Sequence, residues 1–365
     1  MDRLDALRAH VGRRGFEAAV LAKPPNIAAF FRGAEISLGF RQEAPRRIAL
    51  CVSPDKIVLL GNRTEVARVA EDELSWVPGL VQHPFRWDEW KLEESVKAFL
   101  ASEGIKQVCS DVGGLGEDIG ATLEEMHYPL SDGEIETLRE LARETAAVVE
   151  SAGKNVQAGA TEAQVAGQLA GELVPRGILP ELIMVAADDR IARFRHCVPK
   201  DNPIRQLALL SVTVHRRGLY VSLTRLVSLG PVSQEWRERQ AAANRIDAKA
   251  ILLSKPGAVV GDIFRSMMQS YADEGHPDEW QAHHQGGPAG FRGRDYKATE
   301  SESRCLAERQ PVVWNPTFGG AKSEDTILTG ESEQAPEVLT DTGAWAYYDV
   351  EVDEGTVRRP MILEK

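Results

Sequence analysis

Cysteine is scarce: four in 365 residues, at positions 51, 109, 197 and 305. They are too far apart for a CxxC pair, a zinc knuckle or a disulfide framework. Four reduced, mostly buried thiols and a cytoplasmic setting are the expectation. Long apolar runs are lacking as well; none approaches the ~18 residues of a membrane span, which excludes an integral membrane protein. The opening Met1-Asp2-Arg3-Leu4-Asp5 has no basic segment leading into an apolar one, so no secretory signal is expected. Positive charge is in deficit. With 43 Lys and Arg against 55 Asp and Glu, the net charge is −12, which argues against a nucleic-acid partner. What is present suffices for a core: 43% of residues are hydrophobic and 27% charged, a composition of globular chains. The length suggests two domains or one large one.

Leu4, Leu7 and Val11 mark an opening amphipathic helix. Residues 16–21 read as a strand that Lys23-Pro24-Pro25-Asn26 breaks. Residues 47–52 and 56–60 flank the turn Ser53-Pro54-Asp55 as a hairpin. A further strand over 105–109 is closed by the glycines at 113, 114 and 116. This is a small α/β domain, 1–130. A second domain, 131–365, starts at the capping box Ser131-Asp132-Gly133-Glu134, which opens a helix with Ile135, Leu138, Leu141, Thr145 and Val148 on one stripe. Another box, Thr161-Glu162-Ala163-Gln164, opens the next helix. A strand over 182–187, two strands around 217, a helix over 236–253 and a helix through Ile263 and Met267 follow. Similar Gly-containing connections at 157–161 and 255–259 hint at a duplicated helix–turn–helix–strand unit.

Residues 207–215 and 219–225 flank Arg216-Arg217-Gly218 as a hairpin. With its turn centred between 216 and 217, Ser211 faces Ser222, Thr213 faces Tyr220 and Leu209 faces Thr224. This hairpin resembles the metal-binding hairpin of the M24 peptidase superfamily, which includes methionine aminopeptidase, Xaa-Pro aminopeptidase, prolidase and creatinase. That pattern has two Asp eleven residues apart and then Thr-Arg; here Thr224-Arg225 match, and Ser211 and Ser222 stand in the Asp positions. Phe194-Arg195-His196, His284-Gln285-Gly286-Gly287, Trp314-Asn315-Pro316 and Glu324-Asp325-Thr326 resemble the family's other motifs in the same order. Asn26-Ile27-Ala28-Ala29-Phe30-Phe31-Arg32-Gly33 loosely resembles a first-domain segment. The resemblance implies an α/β chain of two domains, the second with the "pita-bread" fold.

It also implies a metal position at residues 211, 222, 284, 315 and 324. Here these are Ser, Ser, His, Asn and Glu. One carboxylate cannot offset two dications, so no metal and no other cofactor is expected. Creatinase is the metal-free member that the resemblance offers, with its catalytic His at His196 and its last Glu at Glu324. The candidate catalytic residues are therefore His196, His284 and Glu324. The candidates for binding a small anionic substrate are Arg193, Arg195, Ser211, Ser222, Thr224, Arg225, His283, Arg292, Arg294, Asn315 and Lys322. The reaction expected is hydrolysis of a C–N bond, or elimination, in an amide, amidine or amino-acid-like molecule, with an imidazole moving the proton. A homodimer is expected too, with Arg32 or Arg41 reaching across it. Two other readings stand beside this one. One is a metal-dependent Xaa-Pro-type peptidase holding Mn, Co or Zn on an atypical set such as His283, His284 and Glu324. The other is an inactive homologue that binds a partner.

Overall fold

The computed structural model describes residues 3–37, 39–40, 47–332 and 334–365. It forms two compact units, Met1–Tyr128 and Pro129–Lys365. The first carries helices α1 (Arg3–Arg13), α2 (Pro24–Phe30), α3 (Arg63–Arg68), α4 (Leu92–Ser102) and α5 (Gly120–His127). Its strands are β1 (Ala18–Leu21), β2 (Ile48–Val52), β3 (Ile57–Asn62), β4 (Val81–Phe85), β5 (Val108–Ser110) and β6 (Glu117–Asp118). They form one mixed sheet in the order β4-β3-β2-β1-β5-β6. One face, with Ala18, Val20, Ala49, Cys51, Val58 and Leu60, packs on Val96, Phe99 and Leu100 of α4. The prolines after β1 do more than end the strand. Pro24 opens α2, where the missing amide hydrogen costs nothing. Asp111 fixes that entry by accepting from the backbone of Ala22 and Lys23 and from Asn26 Nδ2, each near 3 Å.

The second unit begins with α6 (Asp132–Asn155) and α7 (Glu162–Leu173). Both capping boxes form: the Ser131 amide donates to Glu134 and the Thr161 amide to Gln164, at 2.8 and 2.9 Å. Next come β7 (Leu179–Ala187), the short α8 (Asp189–Arg193), β8 (Leu207–Arg216) and β9 (Leu219–Ser228), then α9 (Gln234–Leu253) and α10 (Val260–Asp273). Strands β10 (Gly286–Pro288), β11 (Pro311–Trp314), β12 (Thr317–Phe318), β13 (Ala321–Lys322), β14 (Asp325–Leu328), β15 (Glu337–Val338), β16 (Tyr347–Val352), β17 (Gly355–Pro360) and β18 (Leu363–Glu364) complete it. Two four-stranded sheets result, β18-β9-β8-β7 and β10-β11-β14-β15. Each follows a pair of helices in the chain, the order that the repeated Gly connections suggest. The second core joins Ala243, Ile246 and Ile251 of α9 to Ile263, Phe264 and Met267 of α10 and to Trp314 and Ile327 of the sheet.

The β8–β9 register differs from the expected one. Ser211 pairs with Thr224, Thr213 with Ser222 and Leu209 with Leu226. The turn is centred between Arg217 and Gly218, whose φ values are 51° and 74°. Positive φ at both central residues is a type I′ turn, whose twist matches the flanking strands, and glycine takes its second position at no steric cost. The shift leaves every hydroxyl on its expected face, because residues two apart stay together. It separates the two serines and sets Thr224 beside Ser211.

Candidate active site

The site forms where β9 meets the segment joining β13 to β14. The Thr224 amide donates to the Glu324 carbonyl at 3.0 Å, and the Ser222 amide to Thr326 Oγ1 at 2.9 Å. Extended backbone sends alternate side chains to opposite sides. Lys322 and Glu324 therefore share one side, with Ser211, Ser222 and Thr224; Ser323 and Asp325 take the other.

On the first side the Glu324 carboxylate is the centre. Its Oε2 accepts from Thr224 Oγ1 at 2.6 Å and from Ser211 Oγ at 3.3 Å, with Lys322 Nζ at 3.0 Å. Its Oε1 lies 3.2 Å from Arg294 Nη2, and Arg294 Nη1 is 3.5 Å from Ser222 Oγ. Burial would raise this carboxyl, but Lys322, Arg294 and the Thr224 hydroxyl override it and hold the pKa down at about 2. Glu324 is thus a fixed anion near neutral pH. Of the three candidate catalytic residues, it is therefore the one with no proton to give. Its place is to hold cations and hydroxyls.

On the other side Asp325 is held by Arg225 and Arg359, at 3.0 and 2.7 Å. Arg225 also donates to the Thr340 carbonyl and to the Tyr347 hydroxyl. Arg359 pairs with Asp247, which takes the Ser323 hydroxyl at 2.7 Å. Arg225 is therefore a buried structural ion, turned away from the Glu324 side by the strand's alternation. Nothing in its Thr-Arg motif distinguishes this from a pocket-facing guanidinium.

Three imidazoles form a second cluster. His196 follows α8, and His283 and His284 precede β10. Nε2 of His196 is 3.1 Å from Nε2 of His283, and the His283 and His284 rings stack with centroids 4.4 Å apart. Two glycines make this turn. A Cβ on Gly286 would lie 2.2 Å from the Val313 carbonyl oxygen, and one on Gly287 2.5 Å from that of Tyr296. Both have positive φ, so glycine is required on two counts. Gln285 fixes the same turn, donating to the His283 carbonyl and accepting from the Tyr271 hydroxyl. Burial, with Lys322 and the neighbouring imidazoles, depresses His283 to about 2. Burial, with Arg294, Lys297 and Lys322, depresses His284 to about 3. The exposed His196 is lowered by partial burial, Lys322 and Lys297, against the pull of Glu324.

The remaining candidates separate. Arg193 is exposed and pairs with Asp189 on α8, and Arg195 pairs with Glu279 and the Ala192 carbonyl. Both are turned to surface or structural partners, as arginines near acidic residues commonly are. Arg292 is half-buried on the loop that carries Arg294. Asn315 is buried, its amide bonded to the Gln285 carbonyl and its Oδ1 without a partner. Arg32 stacks over the Trp76 ring at 4.0 Å; Arg41 lies outside the described residues. Two contributors have little or no sequence signal. Thr213 shares a 2.9 Å hydrogen bond with Ser222, and Lys297 acts through its charge. Asp247 has one, since it interrupts the buried stripe Ala243, Ile246, Ala250 and Ile251 of α9.

The donor set does not fit a dinuclear metal centre. Of the five positions the resemblance assigns, only Glu324 has a carboxylate, and both its oxygens are engaged by side chains of the protein itself. The nitrogen atoms of His196, His283 and His284 lie within 4.8 Å of one another, a donor set of the kind zinc accepts. The cations that suppress protonation of these rings oppose a dication there on the same electrostatic grounds.

The model of metallopeptidase family M24 matches residues 136–331, more than half the chain. An uncharacterised peptidase of Staphylococcus haemolyticus is 24% identical over 233 residues, 61% of this chain; the match spans 65% of that relative's length. Among solved structures, prolidase from Pyrococcus horikoshii OT3 superposes with a TM-score of 0.77 at 18% identity, covering 94% of this chain and 99% of its own. Xaa-Pro dipeptidase from Bacillus anthracis gives 0.74 at 16%, with 94% and 98% covered. The N-terminal domain of FACT complex subunit SPT16 from chickpea gives 0.69 at 12%, with 94% and 96% covered. These likenesses establish the two-domain α/β architecture with its pita-bread fold. By the family match over 136–331, this chain belongs to metallopeptidase family M24.

Proposed function

We propose that the protein hydrolyses a C–N bond in a small anionic amide, amidine or amino-acid-like substrate, by imidazole acid–base catalysis and without a divalent metal. Membership of a peptidase family supports the hydrolase class. The observation that carries the mechanism is the 3.1 Å contact between His196 Nε2 and His283 Nε2. Two neutral rings at that distance share one hydrogen. With His196 donating it, His196 Nδ1 keeps a free lone pair, on the ring that is the more exposed of the two.

His196 Nδ1 then takes a proton from a water as its oxygen bonds to the substrate carbon. The imidazolium delivers that proton to the leaving nitrogen as the C–N bond breaks. His283 accepts from the charged ring throughout, and its suppressed basicity leaves the transferable proton on His196. The surplus positive charge of Arg294, Lys322 and Lys297 supports an anionic substrate. A small-molecule substrate and a homodimer belong to the same reading.

The test is a panel of small carboxylate-bearing amides, amidines and dipeptides, assayed with excess chelator. Turnover should persist, and His196→Ala should lower it by about 10²–10⁴-fold. Activity that needs added Mn²⁺, Co²⁺ or Zn²⁺ would sink metal independence. Turnover equal in His196→Ala and the parent would sink the role of His196. A chain inert across the panel would favour a binding protein.

A further inference from the structure

His196 is an exposed ring between two anchored neighbours. On one side Cys197 is buried, with its thiol donating to the Arg190 and Phe194 carbonyls at 3.7 and 3.5 Å. On the other, Arg195 Nη2 donates to Glu279 Oε1 at 2.9 Å, and the two side chains are 20% and 14% exposed. Glu279 opens the single 3₁₀ turn Glu279–Ala282, which runs directly into His283. That turn is tied down: the Trp280 carbonyl accepts from the His283 amide and from Gln285 Nε2, and the Trp280 ring packs edge-on against Phe264. Glu279 Oε1 also accepts from the Gly319 amide, in the turn between β12 and β13. A Cβ on the next residue, Gly320, would lie 2.6 Å from Ala192 Cα, so this turn sits hard against α8. One oxygen of Glu279 therefore joins the three segments that carry His196, His283 and Lys322. Charge-assisted bonds in so sheltered a place are stronger than their surface counterparts.

We propose that Arg195 and Glu279 are positioning residues: their ion pair, shared with the Gly319 amide, sets the contact between the His196 and His283 rings. The proposal rests on the imidazole mechanism above and deepens it, because it names what holds the two rings at hydrogen-bonding distance. His196 follows Arg195 directly, and His283 lies four residues after Glu279, across the tied-down turn. A shift of either segment by about 1 Å would stretch the 3.1 Å bond beyond its useful range. Arg195 suits the task because its fork fixes direction: Nη1 donates to the Ala192 carbonyl while Nη2 meets Glu279.

Two measurements on the intact protein test this. The first is the nitrogen–nitrogen coupling across the His196–His283 hydrogen bond, read by NMR with ¹⁵N-labelled histidine, which needs no substrate. The coupling should be present in the parent and lost in Arg195→Met and in Glu279→Ala. Arg195→Lys, which keeps the charge, should retain it, and Arg195→Met carries the test even where Glu279→Ala fails to fold. The second is steady-state kinetics on the substrate panel: kcat should fall about 10–100-fold in the variants that lose the coupling, with KM within about threefold of the parent. A coupling absent from the parent would overturn the proposal. So would a coupling that survives in both Arg195→Met and Glu279→Ala while only the melting temperature drops. A coupling lost with kcat unchanged would leave the positioning role standing and sink the imidazole mechanism. If no compound of the panel is turned over, the coupling alone decides.

Discussion

His283, His284, Glu324 and Asp247 have proton affinities moved far by their surroundings, and the signs of those moves fix how stability follows pH. His283 and His284 are held at about 2 and about 3, chiefly by burial, against an ordinary 6.5. Between pH 6.5 and 3 the unfolded chain binds protons at these rings that the folded chain refuses, so stability falls with pH across that window. Glu324, lowered from 4.5 to about 2, adds the same sign between those values. Asp247 works the other way. Burial raises it from 3.8 to about 6, so its contribution is present below 3.8 and is lost as pH rises through 6. Two imidazoles and one carboxylate outweigh one carboxylate in the acid range. Melting temperature should therefore drop between pH 7 and pH 4, and the slope should flatten in His283→Gln/His284→Gln. A melting temperature that rises on acidification would contradict this account.

At the scale of the element, β10 is three residues long and yet places both imidazoles. It does so by running against β11 closer than a side chain permits: Gly286 pairs with Trp314 and Gly287 with Val313. Gly286→Ala would put a methyl group 2.2 Å from the Val313 oxygen at a φ of +105°. The strands would have to part. A loss of several kcal/mol is expected, read by urea denaturation, together with loss of turnover as His283 and His284 shift. Unchanged stability would mean that β10 is not clamped in this way. The β8–β9 hairpin shows the same dependence on backbone detail, because the position of its turn decides which hydroxyls meet Glu324.

Across the whole second unit, one buried ion network joins distant segments of chain. Asp247 on α9, Arg359 on β17, Asp325 on β14, Arg225 on β9 and Glu150 on α6 lie in a single series of ion pairs. It holds Ser323 and Asp325, the two neighbours of Glu324, and thereby fixes the carboxylate between them. Arg359→Met would leave Asp247 and Asp325 short of a cation and should cost about 3–5 kcal/mol. Adding Asp247→Asn should recover part of it. A double-mutant cycle by chemical denaturation measures that coupling, and strict additivity would show that the two residues act separately. Among the described residues no helix is long and apolar enough to cross a membrane.

The sequence by itself determined the helices α1, α6, α7, α9 and α10 and the β8–β9 hairpin. Capping boxes, apolar stripes at helical spacing and turn residues are local signals, and the helices begin where Ser131 and Thr161 place them. It also carries Ser, Ser and Asn at 211, 222 and 315, the positions that the resemblance assigns to metal ligands. Only the tertiary structure decided which of the arginines enter the site. Arg294 and Arg225 are alike as residues, but the loop after β10 brings one to Glu324, while alternation along β9 sends the other to Asp325. It decided the protonation states too. Burial and the summed field of Lys322, Arg294 and Lys297 arise from segments that meet only once the chain has folded.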